Sequence, residues 1–269
     1  MIPATFSIIT PHSNASIEND PLLPTLASIS DQEGTSIEFL LQHGGGIVGL
    51  WGKISRALNL SAKKETLTLR VIEEKSASPE EALAAGIKRA TGTWIGFLQP
   101  GEQYLPGALA ALQEACKEDS EVDVFITSSV ISIGNKLVTA PAILPATNFF
   151  KTWEHSWPSH SIFFRGSLFQ NGFTLEPRYE HQMINDALLR LLEAGKKIQP
   201  LPIVTTFTAL KEEEKSSLLP KPTGMTSLLK PWYQWRHQAA IRQAQKMITA
   251  PKTVLIYQNA SLTQRTSVS

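Results

Sequence analysis

Glu102 is the residue of this chain best placed by type and setting to do chemistry, because it is the one carboxylate of the polar loop 99–103 (QPGEQ). The loop follows an apolar run, 94–98 (WIGFL), which reads as a buried strand delivering a loop to a sheet edge. In open α/β sheets, ligands bind in the crevice outside the carboxyl ends of the strands. A carboxylate there could hold Mg²⁺ or Mn²⁺ together with ligand oxygens and water, or be a solvated loop glutamate. His43 ends the apolar run 36–42 and could stack on or bond to a base, or merely end a strand. Gly44-Gly45-Gly46 after it leaves the backbone open to a nucleotide or to a flexible turn. Glu81 could bond a ribose, but its position in Ser78-Pro79-Glu80-Glu81, a capping box with proline at the first helical position, already accounts for it. Asp186 stands in the first turn of a helical run, where an acid favours the helix dipole. His160 and Arg165 flank the apolar run SIFF.

The elements that must carry these residues follow from periodicity. Strands are expected at 6–10, 36–42, 67–72, 94–98, 122–127, 129–133, 161–164 and 198–208, the first ended by Pro11 and the last an edge because of Pro200 and Pro202. Helices are expected at 21–29, 50–60, 79–90, 108–117 and 186–194, the last stopping at Gly195. Strands alternating with helices through the first half imply βαβ units and a mainly parallel sheet. Residues 211–229, with KEEEK and a Pro/Ser/Gly-rich run, read as a linker. Residues 232–248 read as a final helix, and the last ten or so, rich in Ser, Thr and Gln, as a flexible tail.

The 269 residues carry a net charge of +1, 42% hydrophobic and 18% charged residues, the composition of an ordinary globular protein with no general attraction to nucleic acid. Cys116 is the sole cysteine, which excludes an intramolecular disulfide and an all-cysteine zinc site. The amino terminus has no basic segment ahead of a long apolar run, and no stretch approaches the ~18 apolar residues of a membrane span, so a cytoplasmic protein is expected. The segment 230–246 (KPWYQWRHQAAIRQAQK) combines tryptophans with four Lys/Arg and no acid. It is either a helix packed on the domain or an interfacial helix resting on anionic lipid at the inner face of the membrane.

Several blocks, SIITPHSN, IEFLLQHGGG, AGIKRATGTWIGFLQPGEQYLPGAL, HSIFFRGSLFQNGF and NDALLRLLEAG, occur in the order and spacing of family 2 glycosyltransferases, and the chain resembles that family over roughly residues 4–210. The resemblance implies a GT-A fold: a three-layer α/β/α sandwich around a mainly parallel sheet, here occupying residues 1–210, with the linker 211–229 and a helical extension over 230–269. It also implies a transferase that moves a sugar from a nucleotide-diphosphate sugar to an acceptor hydroxyl of a glycan or lipid-linked acceptor, in polysaccharide or cell-surface glycan synthesis, with inversion at the anomeric centre. By position in the family's motifs, Thr10, Pro11, His43, Gly44, Glu81 and Gln99 would face the nucleotide, Glu102 would hold the divalent metal, and Asp186 would be the catalytic base. The motif aspartates fall at His43 and Val48, the family's helix Asp and Asn at Glu81 and Ala84, its N-x-D-D loop at Gln99-Pro100-Gly101-Glu102, and its late D-x-D at Ile184-Asn185-Asp186. Of these positions only Asp186 keeps the family residue. The alternative expectation is therefore a catalytically impaired relative that retains the fold for binding or for partnering an active enzyme.

Overall fold

A computed structural model of the chain describes residues 5–13, 20–44, 50, 52, 54, 55, 66–74, 78–134, 136–142, 153, 154, 158–210, 221, 222, 253–258 and 261–266. Four strands come first: β1 (Phe6–His12), β2 (Ile37–His43), β3 (Leu67–Glu73) and β4 (Trp94–Phe97). Helix α1 (Leu22–Ser30) follows β1, and α2 (Pro79–Ile87) lies between β3 and β4. A short β5 (Gln103–Tyr104) leads into α3 (Ala108–Glu118), then β6 (Val124–Ile133), β7 (Lys136–Ala140) and β8 (Trp153–Glu154). The remainder comprises β9 (Ile162–Arg165), α4 (Gly166–Gln170), α5 (Met183–Glu193), β10 (Ile198–Leu210), β11 (Lys221–Pro222), β12 (Thr253–Gln258) and β13 (Ser261–Thr266).

The central sheet runs β3-β2-β1-β4-β9-β6-β10-β5, with β7 paired to β6. Strands β3, β2, β1 and β4 are mutually parallel, as are β6 and β10. Strand β9 lies antiparallel between β4 and β6, so the sheet is mainly but not wholly parallel. Alternate residues feed two cores. Phe6, Ile8, Phe39, Trp94 and Phe125 pack with α1 and α3 on one face, and Ile9, Leu40, Ile95, Phe97, Val124 and Phe164 pack with α2 and α5 on the other. A strand with apolar residues on both faces must be covered on both, and this makes the architecture three-layered.

Local signals account for most boundaries. Ser78 Oγ accepts the Glu81 N–H and Pro79 occupies the first turn of α2, as its capping sequence predicts. Strand β1 continues through Pro11, where it was expected to stop. Leu98 N donates to Ile9 O, so Pro11, two residues on, faces the side where the β4 ladder has already ended at Ile9, and its missing N–H breaks no pairing. The two strands expected at 122–127 and 129–133 are one buried strand, β6, which turns at Gly134 into the unanticipated β7. Strand β10 pairs with β6 along its length, while β5 reaches only Thr206 and Phe207. Its prolines lie on the half that has no outer neighbour among the described strands, as the edge reading required.

The carboxyl-terminal segment corrects the expectation of a flexible tail. Strands β12 and β13 form a hairpin, and Val254 and Ile256 pack on Val130 and Phe207. The Gln103 carboxamide imitates a strand partner by donating to Tyr257 O and accepting from Tyr257 N, at 3.0 and 2.7 Å. The apolar, largely β-branched run Val254-Leu255-Ile256 is a strand signal that the polar composition of the tail obscures. Of the linker, Lys221–Pro222 pairs with Trp153–Glu154. The helix expected over 232–248, its lipid-facing reading included, lies outside the described residues, and of the expected helix 50–60 only Leu50 and Ile54 are seen in the core.

Candidate functional site

A cleft of about 500 Å³ opens at the carboxyl ends of β1, β2 and β4, beside the amino end of α2. Pro11, His12 and Ser13 line it from β1, Gln42 and Gly44 from β2, Ser78, Pro79 and Ala82 from α2, and Gln99 and Pro100 from the loop after β4. This is the crevice that the run of parallel strands leaves open. Its position follows from pairing: Pro11 lies opposite Gln42 and His12 opposite His43 in the β1–β2 register.

Gln42 is only 2% exposed, and neither its amide nitrogen nor its amide oxygen has a hydrogen-bond partner. Its side chain lies against Gly86 of α2, where an added Cβ would stand 3.3 Å from its Cγ and Nε2. A buried carboxamide without partners costs free energy in the empty protein, and a polar ligand in the adjoining cleft is one way to satisfy it. Sequence reasoning missed it, because Gln42 looks like the polar last residue of an apolar strand.

Of the residues expected to face a nucleotide, Pro11, Gly44 and Gln99 line the cleft. Thr10 and His43 do not, being buried within β1 and β2, and Glu81 is exposed on α2 outside the lining. His43 stacks on His12, with ring centroids 5.2 Å apart and the two Nδ1 atoms at 3.1 Å. Asp20 Oδ2 lies 3.4 Å from His12 Nε2, and Asp20 Oδ1 accepts the Leu22 N–H at the start of α1. His12 is thus the member of the pair that reaches the cleft, and His43 supports it from behind.

Glu102 is turned away from the cleft lining. Its Oε2 accepts the Gln99 N–H at 2.7 Å, and its Oε1 lies 2.6 Å from Nδ1 of the buried His160. The opposite ring nitrogen of His160 lies 2.9 Å from Ser129 Oγ. This serine–histidine–carboxylate row has the connectivity of a nucleophile relay. Ser129 is wholly buried in β6 between β7 and β10, which denies it a substrate and makes the row a tether. Thr25 completes the anchoring: its hydroxyl accepts the Gly101 N–H and donates to Glu102 O. Next to the loop, burial pushes the Tyr104 hydroxyl well above its ordinary pKa, and the charge on Glu102 adds to the effect, so Tyr104 stays protonated.

A divalent cation is the group that the fold family implies for this loop, and the residues present do not fit it. Both Glu102 oxygens are engaged by N–H donors, and Glu74, the carboxylate of the cleft lining, is paired with Arg89 at 2.9 Å. No group of three or more His, Cys, Asp or Glu suited to a metal occurs among the described residues. A hard cation prefers several oxygen ligands, and this cleft wall offers none free among its carboxylates.

Asp186 is not among the residues that line this cleft. It sits in the first turn of α5, where its Oδ2 accepts from Arg190 Nε at 2.8 Å. Arg190 in turn stacks over Phe173 and donates to Thr174 O. Arg165, flagged beside SIFF, lies over the Trp94 ring and donates to the carbonyls of Val122 and Ser120.

No protein-family profile matches the chain, and no curated protein matches it. Solved structures do. Over 76% of this chain and 60% of its own length, a crystal structure of S. aureus TarS residues 1–349 superposes with a TM-score of 0.52 at 16% identity. The same protein in complex with UDP superposes over 80% of this chain and 63% of its own, with a TM-score of 0.50 at 16% identity. The mannosyltransferase PcManGT from Pyrobaculum calidifontis, in complex with GDP-Man and Mn²⁺, superposes over 93% of this chain and 66% of its own, with a TM-score of 0.54 at 13% identity. The chain therefore spans 60–66% of the length of these matched chains. At such identities the likeness is one of fold, and the fold of this chain is that of the GT-A glycosyltransferases.

Proposed function

We propose that the chain is a nucleotide-sugar-dependent glycosyltransferase of family 2 type, with its donor in the cleft between β1, β2, α2 and the loop after β4. The observation that carries this reading is Gln42, a buried carboxamide without partners in the wall of a cleft of about 500 Å³ at the strand ends of a GT-A fold. In the transfer, the acceptor hydroxyl oxygen forms a bond to the anomeric carbon as the bond from that carbon to the diphosphate oxygen breaks. The nucleoside diphosphate leaves, and the hydroxyl proton passes to a base. Asp186 is that base by resemblance; its Oδ2 is held by Arg190, which leaves Oδ1 as the oxygen to accept the proton. The acceptor class is a glycan or lipid-linked hydroxyl, and residues 230–246 are the segment proposed to rest on an anionic inner membrane face. No helix among the described residues is long and apolar enough to cross a membrane.

The test is release of UDP or GDP from UDP- and GDP-hexoses in the presence of glycan acceptors. Turnover that requires both donor and acceptor supports the reading. Binding of donor without turnover, across acceptors, supports instead a binding or partner protein with impaired catalysis. That second reading is favoured by one observation: the two carboxylates assigned to chemistry, Glu102 and Asp186, are both engaged by the protein's own donors. Binding of the full chain to anionic but not neutral vesicles tests the membrane segment.

A further inference from the structure

We propose that this cleft takes its nucleoside diphosphate without a divalent cation, with the buried carboxamide of Gln42 as its polar contact to the base. The inference rests on the donor-site reading above and departs from it in how the ligand is held.

Three observations converge. The loop carboxylate that a cation would need is committed elsewhere, with Glu102 Oε1 on His160 and Oε2 on Gln99 N. That commitment is built into the core, since His160 is 3% exposed and continues to Ser129 in the central strand β6. Freeing Glu102 for a metal would leave a buried imidazole without its carboxylate and open the turn in which Glu102 N also donates to Gln99 O. Second, the residue in the metal loop next to Glu102 is Gly101, at φ 97°, which supplies a turn and no ligand.

Third, the cleft has polar contacts of a different kind. Gln42 presents one donor group and one acceptor without partners, and a carboxamide can bond the paired N–H and C=O edge that uracil and guanine both carry. A carboxamide contact calls for no cation, and Gly86 keeps the carboxamide in place, because any larger residue would meet Ile9 at 2.5 Å and Gln42 at 3.3 Å.

The experiment is calorimetric titration of the full chain with UDP and with GDP, in EDTA and in Mn²⁺, on wild type, Gln42→Met and Glu102→Gln. The expected result is a Kd for at least one nucleotide that changes less than about twofold between EDTA and Mn²⁺ in wild type, a difference well under 1.4 kcal/mol. Gln42→Met should weaken that binding about tenfold while leaving the unliganded protein as stable or more so, because methionine removes an unsatisfied amide at similar volume. Binding that Mn²⁺ strengthens tenfold or more, with the gain lost in Glu102→Gln, would overturn the inference and leave the glycosyltransferase reading intact. Unchanged affinity in Gln42→Met would remove Gln42 from the site and also overturn the inference. No binding of either nucleotide under either condition would overturn both readings together.

Discussion

Glu102 and His160 are separated by 58 residues of chain and joined by a 2.6 Å contact between Oε1 and Nδ1. The pair ties the loop at the mouth of the cleft to the centre of the sheet, since His160 continues to Ser129 on β6. Replacing His160 by Ala removes one partner of a carboxylate that is only 14% exposed. The expected cost is about 1–3 kcal/mol of folding free energy, the range for stranding a buried acceptor. Ser129→Ala should cost less, about 0.5–1.5 kcal/mol, as the loss of one ordinary hydrogen bond. Urea denaturation of the two variants checks both the size and the order.

Glu38 supplies a prediction about acid. It sits in β2 and accepts bonds from Ser7 Oγ at 2.5 Å, Arg70 Nη1 at 2.6 Å and Thr91 N at 2.8 Å. Burial acts to raise its pKa, but the three donors together outweigh it and hold the carboxyl below its ordinary value of 4.5. A depressed native pKa means the unfolded chain binds the proton first as pH falls. The stabilisation is therefore complete above the ordinary value and lost as pH drops through the native one. Glu38→Gln should cost about 1–3 kcal/mol near neutral pH and progressively less toward about pH 3. A penalty that stays the same across that range would contradict the assignment.

The docked hairpin makes a paired prediction. Ile256 is 3% exposed against Val130 and Phe207, while its neighbour Leu255 is 45% exposed on the outer face. Ile256→Ala should cost about 2–5 kcal/mol, the range for emptying a core site. Leu255→Ala should stay within about 0.5 kcal/mol. Equal and negligible effects would mean that the hairpin does not pack on the domain.

Gly92 governs the turn into β4. A Cβ there would stand 2.5 Å from Ser7 N and 2.8 Å from Phe6 C, both backbone atoms that cannot swing aside, and Gly92 N already donates to Ser7 Oγ. Gly92→Ala should destabilise by about 1–3 kcal/mol through overpacking. Thermal melts of this variant beside Gly52→Ala, where an added Cβ meets nothing within 4 Å, separate crowding from the general effect of losing a glycine.

Asp186 carries the catalytic prediction. If it accepts the acceptor proton, Asp186→Asn lowers kcat by about 10²–10⁴. Its structural bond is an i,i+4 pair with Arg190 on the same helix, so stability should move by no more than about 0.5 kcal/mol. A kcat unchanged in turnover assays would assign the base elsewhere.

What the sequence alone determined is what neighbouring residues decide among themselves. Ser78, Pro79 and Glu81 make a helix start within four positions, and the apolar run at 94–98 followed by polar residues makes a strand that ends in a loop. Such signals reach over one helical turn or a few pleats, so they placed the first four strands and the crevice at their ends. The tertiary structure decided where side chains point once distant segments meet. Strand β9 entered the sheet antiparallel because β4 and β6 offered it two edges, and no local pattern encodes that orientation. The tail became a hairpin because Val130, Phe207 and Gln103, far away in the chain, supplied the surface that Val254 and Ile256 needed. Glu102 was legible as the carboxylate of the key loop, but its partner was not, since a glutamate at a strand end can turn to ligand or to core with the same local sequence. Its direction was settled by His160 arriving from β9's side of the sheet, and that contact moves the chemistry of the cleft toward Gln42.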